Sequence, residues 1–264
     1  MIANEILERF AQHSPMTVMA QLGLQRALEA RWIDELFEKE SRSQYTRELL
    51  FSTTVELMSL VALGLRPSVH AAAKSMKELP VTVQALYGKL NHSEPEVVRK
   101  LVSGSAERLR PVVQELIKKE AATLKGYRLR IVDGNHLPAS EKRLKPLHAF
   151  RGAALPGHSL VVYDPDLQLA VDVLPCEDAH TQERVLMRTL VETAAKGDLW
   201  IADRNFCTSG ILCGMIAREA HFLIREHGRN PNPRALSEAR RIGRTPSGTL
   251  YEQLVSVADA HGVC

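Results

Sequence analysis

The strings Arg130-Ile131-Val132-Asp133-Gly134-Asn135 and Trp200-Ile201-Ala202-Asp203-Arg204-Asn205-Phe206 decide how this chain is read. In each, an apolar strand-like run breaks off at an aspartate. A buried strand ends in a charge because the chain turns to water there or because the charge has a task. Taken singly, Asp133 before Gly134 is an ordinary turn pair, and Asp203 an ordinary cap or turn residue. Taken together, two such ends meet if their strands are neighbours in one sheet. Paired carboxylates then suit a hard divalent cation, because magnesium takes one or two carboxylates from protein and leaves room for phosphate.

Working outward, the chain after Lys125-Gly126 alternates strands and helices. Residues 127–132, 158–163 and 169–174 read as strands, the last two joined by the turn Asp164-Pro165-Asp166. A helix follows over 182–195, capped by Thr181, with Val185, Leu186, Leu190 and Val191 on its buried face. Residues 199–202 form a fourth strand, 209–219 a helix and 221–225 a fifth strand. The order β-β-β-α-β-α-β requires parallel neighbours with right-handed crossovers at its end. This is the ribonuclease-H-like α/β arrangement, a mixed five-stranded sheet in which the first and fourth strands adjoin. Residues 227–247, rich in Arg, Asn, Pro and Gly, read as a loop leaving the sheet, and 250–257 as one more strand.

The first 125 residues read as an all-helical N-terminal domain, with 126–264 as the second. Ile6, Leu7 and Phe10, then Leu22, Leu24 and Leu28, then Leu49, Leu50, Leu57, Leu60 and Val61 recur at helical spacing. Ser14-Pro15 breaks the first helix, Gly64-Leu65-Arg66-Pro67 ends a long apolar one, and Ser68 caps its successor. Short helices are expected over 68–76, 81–90 and 95–102. The break at Glu78-Leu79-Pro80 fits a helix-turn-helix, with Gln84, Tyr87 and Lys89 on the recognition helix. It equally fits an αα-hairpin packing a bundle, and the turn signals alone favour the hairpin.

Composition narrows the class. A chain of 264 residues, 45% hydrophobic and 25% charged, is long enough to bury a core. No apolar run approaches the roughly 20 residues of a membrane helix, and Met1-Ile2-Ala3-Asn4-Glu5 lacks the basic start of a secretory signal. Cys176, Cys207, Cys213 and Cys264 form no C-x-x-C pair, so free cytosolic thiols are expected. His136, His148, His158 and His180 match no compact ligand spacing, and Ser159 and Ser209 lack recognisable triad partners. Asp172 is expected to face solvent. A net charge of +3 is weak evidence for a polyanionic partner. Arginines 225, 229, 234, 240, 241 and 244 nonetheless crowd against only Glu226 and Glu238, and Lys142, Arg143, Lys145 and Arg151 form a second cluster. Such clusters suit phosphate or a plain solvated surface.

Val132-Asp133-Gly134-Asn135-His136, Tyr163-Asp164-Pro165 and Ile201-Ala202-Asp203-Arg204-Asn205-Phe206-Cys207-Thr208 resemble the DDE transposases of bacterial insertion sequences. The closest likeness is to the group whose third acid sits in a Tyr-x2-Arg-x3-Glu-x6-Lys signature. It runs from about 55 to 229 and includes Val83-Gln84-Ala85-Leu86-Tyr87-Gly88-Lys89-Leu90. The resemblance implies that Asp133 and Asp203 are catalytic and ligate magnesium or manganese for in-line attack on a phosphodiester. It implies a helical DNA-binding domain before the catalytic one, and phosphate contacts from Arg204 and Arg225. Arg229, Lys142, Arg143, Lys145, Gln84 and Lys89 are the further DNA-binding candidates. The implied partners are double-stranded element ends and target DNA, bound by a homo-oligomer at the nucleoid in the cytoplasm, with no membrane.

The chain departs from the family at the third acid. No Tyr-x2-Arg-x3-Glu-x6-Lys occurs, and Glu226, Glu252 and Asp259 are the acids after the fifth strand. The expectation is therefore a catalytic domain incomplete at its C-terminus and impaired in catalysis. The alternative is a catalytically silent DNA-binding fragment or inhibitor. A structural nuclease of the ribonuclease H or Holliday-junction type shares the sheet and differs in substrate.

Overall fold

The computed structural model describes residues 14–44, 46–76, 79–117, 122–136, 158–176, 181–226, 228, 231–259 and 262–263. The chain divides into two compact units, Met1–Glu120 with Leu169–Pro175, and Ala121–Gln168 with Cys176–Cys264.

The first unit holds six described helices: α1 (Pro15–Ala27), α2 (Ala30–Glu40), α3 (Phe51–Ala62), α4 (Val69–Ser75), α5 (Val83–Asn91) and α6 (Pro95–Leu116). Their starts follow from sequence. Pro15 and Pro95 open α1 and α6 with a preset φ. Ser68 and Thr82 accept from Ala71 N and Ala85 N, each at 3.2 Å, to cap α4 and α5. Gly64, at φ 72°, ends α3 in the left-handed region. One core joins Ile33, Phe37, Phe51, Val55 and Val97, with the Phe37 and Phe51 rings stacked 4.7 Å apart. A second joins Leu49, Leu57, Ala72, Ala73 and Leu86. Helix α6 runs on to Leu116 instead of stopping at 102. At Gly104 it passes the Trp32 ring so closely that an added Cβ would lie 2.4 Å from it.

The sheet comprises β1 (Arg128–His136), β2 (His158–Asp164), β3 (Leu169–Cys176), β4 (Asp198–Ala202) and β5 (His221–Ile224). Its order is β3-β2-β1-β4-β5. Strand β1 runs antiparallel to β2 and parallel to β4, and β4 runs parallel to β5. The expected mixed ribonuclease-H-like sheet, with the first and fourth strands adjacent, is therefore present. Helices α7 (Glu183–Val191) and α8 (Ser209–Ile216) connect these strands and bury Met187, Leu190, Val191, Ile211, Leu212 and Met215.

Several details differ from expectation. Gln182, not Thr181, occupies the N-cap of α7, and the helix stops at Val191 because the chain turns through Glu192 into the approach to β4. Helix α8 ends at Ile216, before Glu219 turns at φ 54°. The stretch read as a loop contains β6 (Arg234–Ala235) and β7 (Arg240–Thr245). These pair with β9 (Val255–Ser256) and β8 (Gly248–Glu252) respectively, while β10 (Ala258–Asp259) pairs with β11 (Gly262–Val263). Cys176 and Cys207 are buried, and Cys213 is disulfide-bonded, against the expectation of free thiols throughout. Among the described residues no helix is long and apolar enough to cross a membrane.

Candidate active site

Alternation along β1 and β4 separates the sheet's two faces. Arg130 pairs with Trp200 and Ile131 with Ile201. Val132, Arg130 and Trp200 are buried, so this register turns one face inward. Side chains two apart on a strand share a face. Asp133 and Asp203, each two positions beyond the paired isoleucines, therefore leave on the opposite face. The alternation holds through Asp203, whose backbone is extended at φ −76° and ψ 176°. Adjacent strands lie about 4.8 Å apart, so the two acids emerge as neighbours. Both are exposed.

Arg225 joins the same edge. Ala202 pairs with Ile224 on β5, so Asp203 and Arg225 each stand one residue past the last rung. Behind them Ile131, Ile201 and Leu223 line up across three strands, and Leu223 is 62% exposed. The acids thus stand at the end of an apolar ledge, beside a guanidinium, just past the last parallel rung between β1 and β4, although β1 itself runs on beside β2 to His136. This is the side where ligands of open α/β sheets bind.

Local bonds fix both carboxylates. Asp133 Oδ1 accepts from Gly134 N at 2.9 Å. Asp203 Oδ1 accepts from Asn205 N at 2.8 Å and so caps a 3-10 turn, Arg204–Phe206, which the fully buried Phe206 ring anchors. Each acid spends one oxygen on the backbone and makes no ion pair among the described residues. Two hard oxygen donors with room left for water or phosphate fit a magnesium-type ion. Among the described residues no group of three or more His, Cys, Asp or Glu could hold a metal. Glu183 is close in another sense: a Cβ added at Gly134 would fall 1.7 Å from its Oε1. Gly134 faces away from Asp133, so this carboxylate sits behind the strand, apart from the pair. The glycine was the sequence signal for that close approach.

The remaining candidates are dispersed. Arg204 is exposed on the turn beside Asp203. In the helical unit, Gln84 is exposed on α5, whereas Lys89 Nζ donates to Leu49 O at 2.6 Å and lies 4.9 Å from the Phe37 ring centroid. Burial pushes its pKa down, and its charge serves the helical unit's own packing. Lys142, Arg143, Lys145 and Arg229 lie outside the described residues, as do His148 and His180. Asp172 does not face solvent as expected: it takes a bidentate pair from Arg99 at 2.9 and 2.8 Å. No protein-family model and no curated protein matches the chain.

Proposed function

We propose that the chain is a transposase-type DNA recombinase that cuts and joins insertion-sequence ends by metal-dependent phosphodiester chemistry. The observation that carries the reading is the parallel pairing of Ile131 with Ile201, two residues before Asp133 and Asp203 on adjacent strands. Asp133 and Asp203 would hold a magnesium or manganese ion. Arg225 and Arg204, one on each side of Asp203, draw the scissile phosphate to that edge by charge-assisted hydrogen bonds. When bound, such an ion supplies what side chains lack, a nucleophile from water or a DNA 3′-hydroxyl at neutral pH and neutralisation of the leaving oxygen. The turn at Asn205 and the bond from Gly134 keep both acids from rotating inward.

The test separates metal from chemistry. Titration with Mn2+, followed by the free-ion EPR signal, is expected to find a site that Asp133→Asn or Asp203→Asn weakens at least tenfold. Both residues are exposed, so far-UV circular dichroism should stay unchanged. Nicking of supercoiled plasmid, slow because no third acid joins the pair among the described residues, should then require Mg2+ or Mn2+ and vanish in either variant. Equal Mn2+ affinity in wild type and Asp133→Asn would sink the reading.

The absence of a third acid beside the pair among the described residues favours a second reading, a DNA-binding protein without chemistry. It predicts salt-dependent binding that is indifferent to metal, with no nicking.

A further inference from the structure

The hairpin of β7 and β8 is a two-stranded ribbon exposed on both sides. Arg240, Arg241, Ile242, Arg244, Leu250 and Tyr251 are all exposed. A ribbon without a buried face needs another reason for its side-chain pattern.

The register sorts its charges. Arg240 pairs with Glu252, Arg241 with Tyr251, Gly243 with Leu250 and Arg244 with Thr249, with a shift between Arg241 and Gly243. Cross-strand partners share a side, and residues two apart on β8 share it too. One face therefore carries Arg240, Glu252 and Leu250, and its charges cancel: Arg240 Nη2 meets Glu252 Oε2 at 2.5 Å. The other carries Arg241, Arg244, Thr249 and Tyr251. Neither of its arginines makes an ion pair among the described residues. The β-bulge places Arg241 and Arg244 on the same side although they are three apart, where unbroken alternation would have put them on opposite sides.

We propose that this face of the ribbon, through Arg241 and Arg244 with Tyr251 across from Arg241, grips the phosphate backbone of duplex DNA. Their partners Tyr251 and Thr249 are two residues apart on β8, so the guanidinium bases are separated by about 7 Å along the ladder. That spacing lets the two guanidinium groups take different phosphates of one strand. A two-stranded ribbon is also of a size that a major groove admits. Charge complementarity selects the occupant, because the face is cationic while its reverse is neutral. The inference deepens the recombinase reading by naming a DNA contact away from the acids, and it rests on that reading for the choice of duplex DNA.

Fluorescence anisotropy with a labelled mixed-sequence duplex of about 20 base pairs tests it, using the full chain at 50 to 200 mM salt. Each phosphate contact adds about 0.9 to the slope of log affinity on log salt. The Arg241→Ala/Arg244→Ala variant should lower that slope by about 1.8, so wild type's advantage should shrink about twelvefold across this range. Arg241→Lys/Arg244→Lys should keep the slope. Arg240→Ala/Glu252→Ala, which removes the opposite face's pair at constant net charge, should leave it unchanged.

An unaltered slope in the alanine pair overturns the proposal. So does an equal loss in the opposite-face pair, tighter binding to single-stranded DNA or RNA of the same length, or no wild-type binding at all. Self-association lost in the arginine variant would assign the face to a second copy instead. A ribbon that behaves as expected, together with Mn2+ binding indifferent to Asp133→Asn, keeps the DNA grip and removes the recombinase. The reverse result keeps the acids and removes the ribbon.

Discussion

Asp164 sits at the end of β2, 3% exposed, against Arg130, 7% exposed, to which it is paired. Its Oδ1 also accepts from Asp166 N and Leu167 N, both at 3.1 Å, closing the turn after β2. The turn was legible in Asp164-Pro165-Asp166, but the ion pair was not, because Arg130 lies in an otherwise apolar run and its partner is far away in sequence. Asp164→Ala would leave a buried guanidinium uncompensated and should cost about 3–5 kcal/mol. Urea unfolding followed by Trp200 emission in a Trp32→Phe background measures it. A loss below about 1 kcal/mol would mean that water already reaches the pair. Glu94 gives a pH-dependent counterpart. Its carboxylate takes the N–H groups of Ser43 and Arg42 and the hydroxyls of Ser41 and Ser43. The bonds from Ser43 N, Ser41 Oγ and Arg42 N hold its pKa down to about 2. A lowered carboxylate pKa stabilises the folded loop fully above the ordinary carboxylate range and loses that contribution as pH falls through about 2. The amide NMR shifts of Arg42 and Ser43 should therefore titrate with a midpoint below 3 and not at all in Glu94→Gln. A midpoint near 4.5 would refute the docking.

At the scale of elements, the packing of α7 on α8 turns on one missing methyl. A Cβ at Gly214 would stand 2.6 Å from Val191 Cγ1, and a β-branched side chain has little rotamer freedom with which to retreat. Gly214→Ala should gain up to about 1 kcal/mol of helix propensity yet lose about 1–3 kcal/mol to overpacking, a net destabilisation. In a Val191→Ala background the same change should become neutral or stabilising, which a double-mutant cycle reads directly. The same physics limits what sequence reveals. Strands β1, β2, β4 and β5 were legible because burial writes alternation or an apolar run into them. Helix α6 runs past the expected 102 through Ser103-Gly104-Ser105, where Gly104 clears the Trp32 ring. Of the β7–β8 ribbon only the second strand was expected, within 250–257, and β7 was read as loop, because neither face is buried and no hydrophobic period marks it. Both acids were legible as strings, but only Asp203 follows a strand end: β1 does not stop at 132 as expected and carries Asp133 within it, because its pairing with β2 continues to His136. Their shared face depends on a register that only the paired strands supply, and the seat of Glu183 behind Gly134 left no mark beyond the glycine itself.

At the scale of the whole molecule, linear order and compact unit do not coincide. Leu169–Pro175, part of a sheet strand, belongs with the helices rather than with the segments on either side of it. Its contributions there are specific. Asp172 binds Arg99 through both carboxylate oxygens, the two side chains being 16% and 15% exposed. Leu169 and Ala170 join Phe51, Val55, Leu101 and Leu109 around an apolar cavity of about 600 Å3. A fragment ending at 125, where composition changes, therefore omits part of the unit it is meant to contain. Hydrogen bonds to charged groups contribute about 1.5–3 kcal/mol each when partly buried, and the lost apolar wall adds to that. With a urea dependence of about 1–3 kcal/mol per molar, the fragment should unfold at least about 1 M earlier than the full chain. The comparison uses Trp32 emission, with Trp200→Phe in the full chain so that each protein carries one reporter. Asp172→Ala in the full chain should reproduce part of the shift. Coincident midpoints for fragment and full chain would show that the helices need nothing from 169–175, and that the ion pair forms without contributing to their stability.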